Sequence, residues 1–265
     1  MAQIDNRYAH RGAARTEVAV DEGLRAYMLR VYNYMAGGVF LTGLIAYVLY
    51  TLTVTTDANL AAHAATGAVL GLKRGMYLTP LGAALFTTPL HWLVILAPLA
   101  FVFFLSVRIY RMSLGAAQTT FWLFAAVMGV SLSSIFLAYT QTSITQVFFV
   151  TAAAFGALSL YGYTTRKDLS GWGSFLIMGV FGIVIAALVN LFLQSSALQF
   201  AISVIGVLVF SGLTAYDTQR IKDGYYEVMG DMTATGKAAI LGALQLYLDF
   251  INLFVSLLQL FGNRD

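Results

Sequence analysis

The sequence predicts an all-α integral membrane protein, a bundle of seven transmembrane helices, and three observations carry that prediction. The chain is 59% hydrophobic and only 10% charged, whereas soluble domains carry about 25% charged residues, and its mean hydropathy is +0.78. Its apolar residues gather into seven runs, at 31–55, 90–107, 115–139, 145–164, 173–193, 198–216 and 238–262, near the roughly 20 residues a helix needs to cross a bilayer. These runs are continuously apolar instead of alternating, which disfavours a β-barrel and leaves helices as the way to satisfy backbone groups in lipid.

The elements follow in order. Residues 1–24 form a polar N-terminal tail, expected to be disordered or to lie on the membrane surface, and 25–265 form one seven-helix domain. The first 27 residues mix arginines with acids and contain no apolar core, so no cleavable signal is evident and the first span serves as the anchor. The long loop at about 56–89 mixes glycine, alanine and threonine and ends in Pro80 and Pro89. Its stretch 76–86 is apolar but too short to span, which predicts an interfacial or re-entrant piece over the outer face.

Span two contains Pro98, whose missing donor invites a kink that neighbouring helices can accommodate. Spans one and five carry Gly37, Gly38, Gly43, Gly173, Gly179 and Gly182, small residues that let helices approach closely. Trp92, Trp122 and Trp172 fall near span ends, as an aromatic belt requires. Span six ends with Asp217. Span seven carries Asp249 near its middle, in a stripe of Gly242, Gln245, Asp249, Asn252, Ser256 and Gln259 at steps of three and four. An aspartate at a helix centre costs about 2.5–3.5 kcal/mol in lipid. The last helix is therefore expected inside the bundle, with its polar stripe turned to the core or to a pathway.

Fifteen Lys and Arg against 12 Asp and Glu give a basic chain, but the placement of the charge excludes nucleic acid as the partner. Nearly all cations fall on one side of the membrane: Arg7, Arg11, Arg15, Arg25 and Arg30 before or at span one, Arg108 and Arg111 after span two, Arg166 and Lys167 after span four, and Arg220, Lys222 and Lys237 between spans six and seven. Only Lys73, Arg74 and Arg264 oppose them. The positive-inside rule then places the N-terminus in the cytoplasm and the C-terminus outside, with membrane lipid as the constant partner. Cysteine is absent, which removes disulfides, thiolate catalysis and cysteine metal sites. His10, His63 and His91 are scattered, with no clustered ligands beside them. No internal repeat of the secondary-transporter kind is visible.

Three ionisable residues stand out: Asp249 in span seven, Asp217 at the cytoplasmic end of span six, and Arg111 at the end of span two. Ser203, Gly206, Phe210, Thr214 and Asp217 share one helix face. Read singly, Asp217 is a helix-end aspartate and Arg111 a positive-inside anchor like its neighbour Arg108. Read together, two carboxyls brought into contact share one proton and titrate as a unit. A nearby arginine would latch the ionised form. Fully deprotonated, the same oxygens attract a hard divalent cation such as calcium, making Asp217 and Asp249 the candidate metal-contacting pair. Thr214, Gln245, Asn252 and Ser256 are the candidates for lining a pathway.

The segments Phe210-Ser211-Gly212-Leu213-Thr214-Ala215-Tyr216-Asp217-Thr218-Gln219-Arg220-Ile221 and Ala243-Leu244-Gln245-Leu246-Tyr247-Leu248-Asp249-Phe250-Ile251-Asn252-Leu253-Phe254 resemble the signature of the transmembrane Bax inhibitor motif family (Bax inhibitor-1-like). The junction at 24–35 is similar to that of its bacterial members. The resemblance implies a seven-helix bundle with the last helix central. It also implies a pH-sensitive calcium leak whose aspartyl dyad matches Asp217 and Asp249, with Arg111 matching the second-helix latch. Two departures are visible: residues 90–107 lack the acidic residue that some relatives carry in that helix, and the first loop is long for the family.

The leading expectation is therefore a passive, pH-gated cation leak and not an enzyme, with no cofactor and with calcium and protons as its ligands. Acidification is expected to weaken the latch and favour an open pathway, the opposite sign holding if protonation favours a hydrogen-bonded closed dyad. An intramembrane aspartyl protease is an alternative on the paired carboxyls. Against it, Leu246-Tyr247-Leu248 precede Asp249 where such proteases show a glycine-rich approach, and no Pro-Ala-Leu segment follows. A third reading is a non-conducting regulator of a membrane protease or cell-death partner, which the resemblance implies for certain relatives. A retinal protein is set aside because span seven has no lysine for a Schiff base. The tail points to the inner membrane of a bacterium, an endoplasmic reticulum protein obeying the same charge rule.

Overall fold

A computed structural model describes residues 2–63, 68–72 and 75–264, with side chains from residue 21 onward. Lys73, Arg74 and the side chains of Arg7, His10, Arg11 and Arg15, which entered the reading above, lie outside the described residues. Seven helical spans are long and apolar enough to cross a membrane: Asp21–Thr53, Leu90–Arg111, Leu114–Ala138, Gln141–Thr164, Ser170–Leu193, Ser196–Val228 and Met232–Phe261. All seven expected spans are present, and the architecture is an all-α membrane bundle.

Helix α1 (Ala2–Thr53) includes the polar tail and the first span in one continuous helix, so the backbone of the tail is helical. The long first loop folds back on the end of that helix. Strands β1 (Val54–Thr55) and β2 (Tyr77–Leu78) pair antiparallel, and helix α2 (Pro80–Thr87) follows, with Thr79 capping it by accepting the Gly82 N–H at 3.2 Å. A side chain at Gly82 would strike the Thr53 carbonyl oxygen, so only glycine lets α2 close against the end of α1. The apolar stretch 76–86 is thus a strand and a short helix docked on the bundle end.

Pro98 lies inside α3 (Leu90–Arg108), buried, and leaves the Val94 carbonyl without its intrahelical donor. The hydroxyl of Ser131, on α4 (Leu114–Leu132), donates to that carbonyl. The neighbouring helix thereby supplies what proline removes. Ser131→Ala is expected to lower stability by about 1 kcal/mol, read as a lower unfolding temperature in detergent, with no loss from Ser131→Thr.

The remaining helices are the short α5 (Ile135–Ala138), α6 (Gln141–Thr164), α7 (Ser170–Leu193), α8 (Ser196–Val228) and α9 (Met232–Phe261). Side-chain caps fix where several begin: Ser113 for α4, Thr140 for α6, Ser195 for α8 and Asp231 for α9, each accepting backbone N–H groups of the first turn. Before α7, Asp168 accepts the Ser170 N–H at 2.8 Å, which holds its exposed carboxyl below the usual carboxylate range. Gly230, at φ +103, turns the chain from α8 into α9, a conformation that favours glycine.

Helix α9 is the axis of the molecule. It packs against α8, α1, α6 and α4, and 67% of its most apolar stretch is buried, against 11% for α7 on the periphery. Tyr247 is fully buried between Phe121 and Phe124 of α4, and its hydroxyl lies 2.7 Å from that of Thr42 on α1. At the far end, the Arg264 guanidinium donates to the Tyr139 hydroxyl at 2.9 and 3.1 Å, and the Asn263 N–H donates to Ser143 Oγ at 3.1 Å. Those bonds tie the end of the central helix to the α5–α6 junction.

Candidate functional site

The polar stripe of α9 faces α8 along its length. Gly242 lies against Ile221, Ser256 against Gly206, and Gln259 accepts hydrogen bonds from Gln199 Nε2 at 2.9 Å and Ser203 Oγ at 2.8 Å. The two helices run antiparallel, so these contacts fix one register, with Thr214 and Asp217 opposite Asp249. A side chain at Gly206 would lie 2.6 Å from Ser256 Oγ, so the absence of one lets the helices touch there.

In the middle of this seam the carboxyls of Asp217 and Asp249 lie close enough to act on each other. Both are buried, at 9% and 5% exposure, so neither is bathed in bulk water. Oδ2 of Asp249 is fully enclosed and has no hydrogen-bond partner among the described residues. A hydrogen bond between two carboxyls requires a proton on one of them. The seam thus sets two buried acids against each other.

The structure corrects the position of Asp217, because α8 continues 11 residues past it to Val228. The charged residues Arg220, Lys222 and Asp223 end the apolar run without ending the helix. Asp217 therefore stands inside a long helix and not at its end. Arg220, exposed one turn along α8, is a cation that bears on Asp217. Arg111, expected as the latch, is exposed in the turn after α3, where the neighbouring Tyr110 carbonyl accepts from Lys237 of α9 at 3.2 Å.

The lining candidates lie along the same seam. Thr214 Oγ1 donates to Phe210 O at 2.7 Å, Asn252 Nδ2 to Leu248 O at 2.8 Å, and Ser256 Oγ to Asn252 O at 2.8 Å. Each polar group is satisfied by its own helix while the seam is shut. Thr214 and Ser256 are buried, and Asn252 and Gln245 are half-buried. Two carboxyls supply few of the six to eight oxygens calcium prefers, and no cluster of three or more metal-ligating side chains exists among the described residues.

A sequence profile described as Inhibitor of apoptosis-promoting Bax1 matches residues 24–265, almost the whole chain. The chain belongs to that family. An uncharacterized protein of Caulobacter vibrioides is 44% identical over 254 residues, covering 96% of this chain and 95% of its own. The inner membrane protein YbhL of Escherichia coli K12 is 46% identical over 243 residues, 91% of this chain and 93% of its own. A membrane protein of Streptococcus pyogenes serotype M3 is 37% identical over 245 residues, 92% of this chain and 96% of its own. Membership in the Bax inhibitor family and the seven spans make this chain a membrane protein, similar to one named for the inner membrane.

Sequence reasoning missed a hydroxyl cluster beside the pair. The Tyr32 hydroxyl of α1 lies 2.7 Å from Ser159 Oγ of α6, which lies 2.9 Å from Thr218 Oγ1 of α8. Thr218 follows Asp217 directly and donates to Thr214 O at 2.7 Å. Ser159 is one of several hydroxyl residues of α6, and nothing in the sequence singled it out.

Proposed function

We propose that this protein is a passive cation leak of the inner membrane, with calcium among the ions it passes, and that Asp217 and Asp249 form its proton-controlled gate. The observation that carries the reading is the contact of two buried carboxyls across the α8–α9 seam. Two like charges about 4 Å apart repel by about 4 kcal/mol at an effective dielectric of about 20. Loss of the shared proton therefore favours any rearrangement that separates α8 from α9 or admits a cation between the oxygens. Thr214, Asn252 and Ser256 would then exchange their own-helix bonds for contacts with the passing ion. On this reading Arg220, one turn along α8 from Asp217, supplies positive charge to the site. The charge bias puts the N-terminus in the cytoplasm and the C-terminus outside.

The test is calcium entry into dye-loaded liposomes from about pH 5 to about pH 8, comparing the parent with Asp217→Asn and Asp249→Asn. Asparagine keeps the shape and offers an N–H to the remaining carboxyl, so each variant holds the pair near its one-proton state. The parent's flux is expected to change across the range. Each variant's flux is expected to stay flat near the parent's value at the acid end. No flux from the parent, or one pH response shared by all three proteins, would overturn the proposal.

A further inference from the structure

A groove of about 700 Å³ runs between α1 and α6, at the end of the bundle that carries most of the basic residues. Its walls are the apolar side chains of Met28, Leu29, Phe155 and Leu160, its floor is the Tyr32–Ser159 hydroxyl pair, and Arg25 stands at its rim. Leu29 and Leu160 are 52% and 63% exposed, so the groove opens sideways from the bundle into the surrounding bilayer. Gly156 widens it: a β-carbon there would meet no atom within 4 Å.

The charge around the rim is positive. Lys222 Nζ donates to the Tyr163 carbonyl at 3.0 Å and sits 5.9 Å from the centre of the Tyr163 ring, which closes one wall. Arg166 and Lys167 follow directly after α6. Among the described residues no acid lines the groove; Glu22 lies about a turn from Arg25 on α1, and Asp168 and Asp223 directly follow Lys167 and Lys222. An apolar trough open to lipid, with cations at its polar end, matches the two parts of an anionic phospholipid.

We propose that this groove binds an anionic phospholipid, its acyl chain along the α1 and α6 walls and its phosphate on Arg25 with Lys222 behind. This goes beyond the leak reading and does not depend on it. The floor of the groove is the Tyr32–Ser159 pair, and Ser159 in turn lies 2.9 Å from Thr218, which follows Asp217.

Purified protein in detergent, titrated with dioleoylphosphatidylglycerol, dioleoylphosphatidylcholine or glycerol phosphate, tests the site through the rise in unfolding temperature with ligand concentration. The anionic lipid is expected to bind about fivefold more tightly than its zwitterionic counterpart for each basic residue engaged, and glycerol phosphate to have no effect. Arg25→Gln should reduce that preference by about fivefold. Gly156→Phe, which projects a ring into the groove from a β-carbon with free space around it, should remove binding of both lipids while the unliganded protein still unfolds cooperatively. Equal binding of the two lipids by the parent would overturn the proposal. So would unchanged preference in Arg25→Gln together with unchanged binding in Gly156→Phe. Stabilisation by glycerol phosphate alone would assign the site to a free phosphate instead.

Discussion

A G206C/S256C double variant is expected to lose nearly all cation flux on oxidation and to recover it on reduction. A β-carbon placed at Gly206 lies 3.3 Å from that of Ser256, close to the roughly 3.5–4.5 Å that a disulfide spans. The chain contains no cysteine, so the introduced pair has no competitor and forms one defined bridge. Replacing Ser256 also removes the hydroxyl that a side chain at 206 would strike. The bridge pins α8 to α9 on the Asn252 side of the dyad, where the proposed pathway must widen. Flux that survives full oxidation would place the pathway elsewhere in the bundle. A G43C/T145C pair, on helices outside the seam, controls for a general effect of cysteine substitution under oxidation.

The second large effect is expected from Gly162→Val. A side chain at Gly162 on α6 would run into the Ala215 carbonyl oxygen of α8, and backbone cannot move aside as a flexible side chain can. Overpacking of this kind costs about 1–3 kcal/mol. The contact lies two residues before Asp217, so displacement of α8 also shifts one acid relative to the other. We expect a lower unfolding temperature and an altered pH profile of flux from the same variant. Gly182→Val, on the peripheral α7 with free space around the new β-carbon, should leave both unchanged. Parent-like stability in Gly162→Val would mean that α6 and α8 pack less closely than described.

The bundle was legible because hydropathy reports what lipid demands, and all seven spans stand where the apolar runs lie. The central place of α9 was legible from its stripe, since Asp249 and Gln259 cannot face lipid, and both lie against α8. The true reach of α8 was not. Arg220, Lys222 and Asp223 end an apolar run, yet a helix leaving the membrane can continue in water, so the run ended near 216 while the helix ends at Val228. Arg111 shows another limit. Its charge marks the membrane boundary, but which helix it packs beside is a property of tertiary contact. The Tyr32–Ser159–Thr218 cluster was hidden because a lone hydroxyl in an apolar span can satisfy itself on its own helix, as Thr151 does with Val147 O at 2.7 Å.

Whether Asp217 and Asp249 hold one proton between them is measured most directly by an infrared titration of the protonated-carboxyl band in the parent and in the two asparagine variants. Two acids in contact titrate in steps that belong to the pair. Removing either acid is therefore expected to move the midpoint of the one that remains away from both of the parent's steps. If each variant merely loses one step and leaves the other where it was, the two acids titrate independently and the shared-proton gate is contradicted.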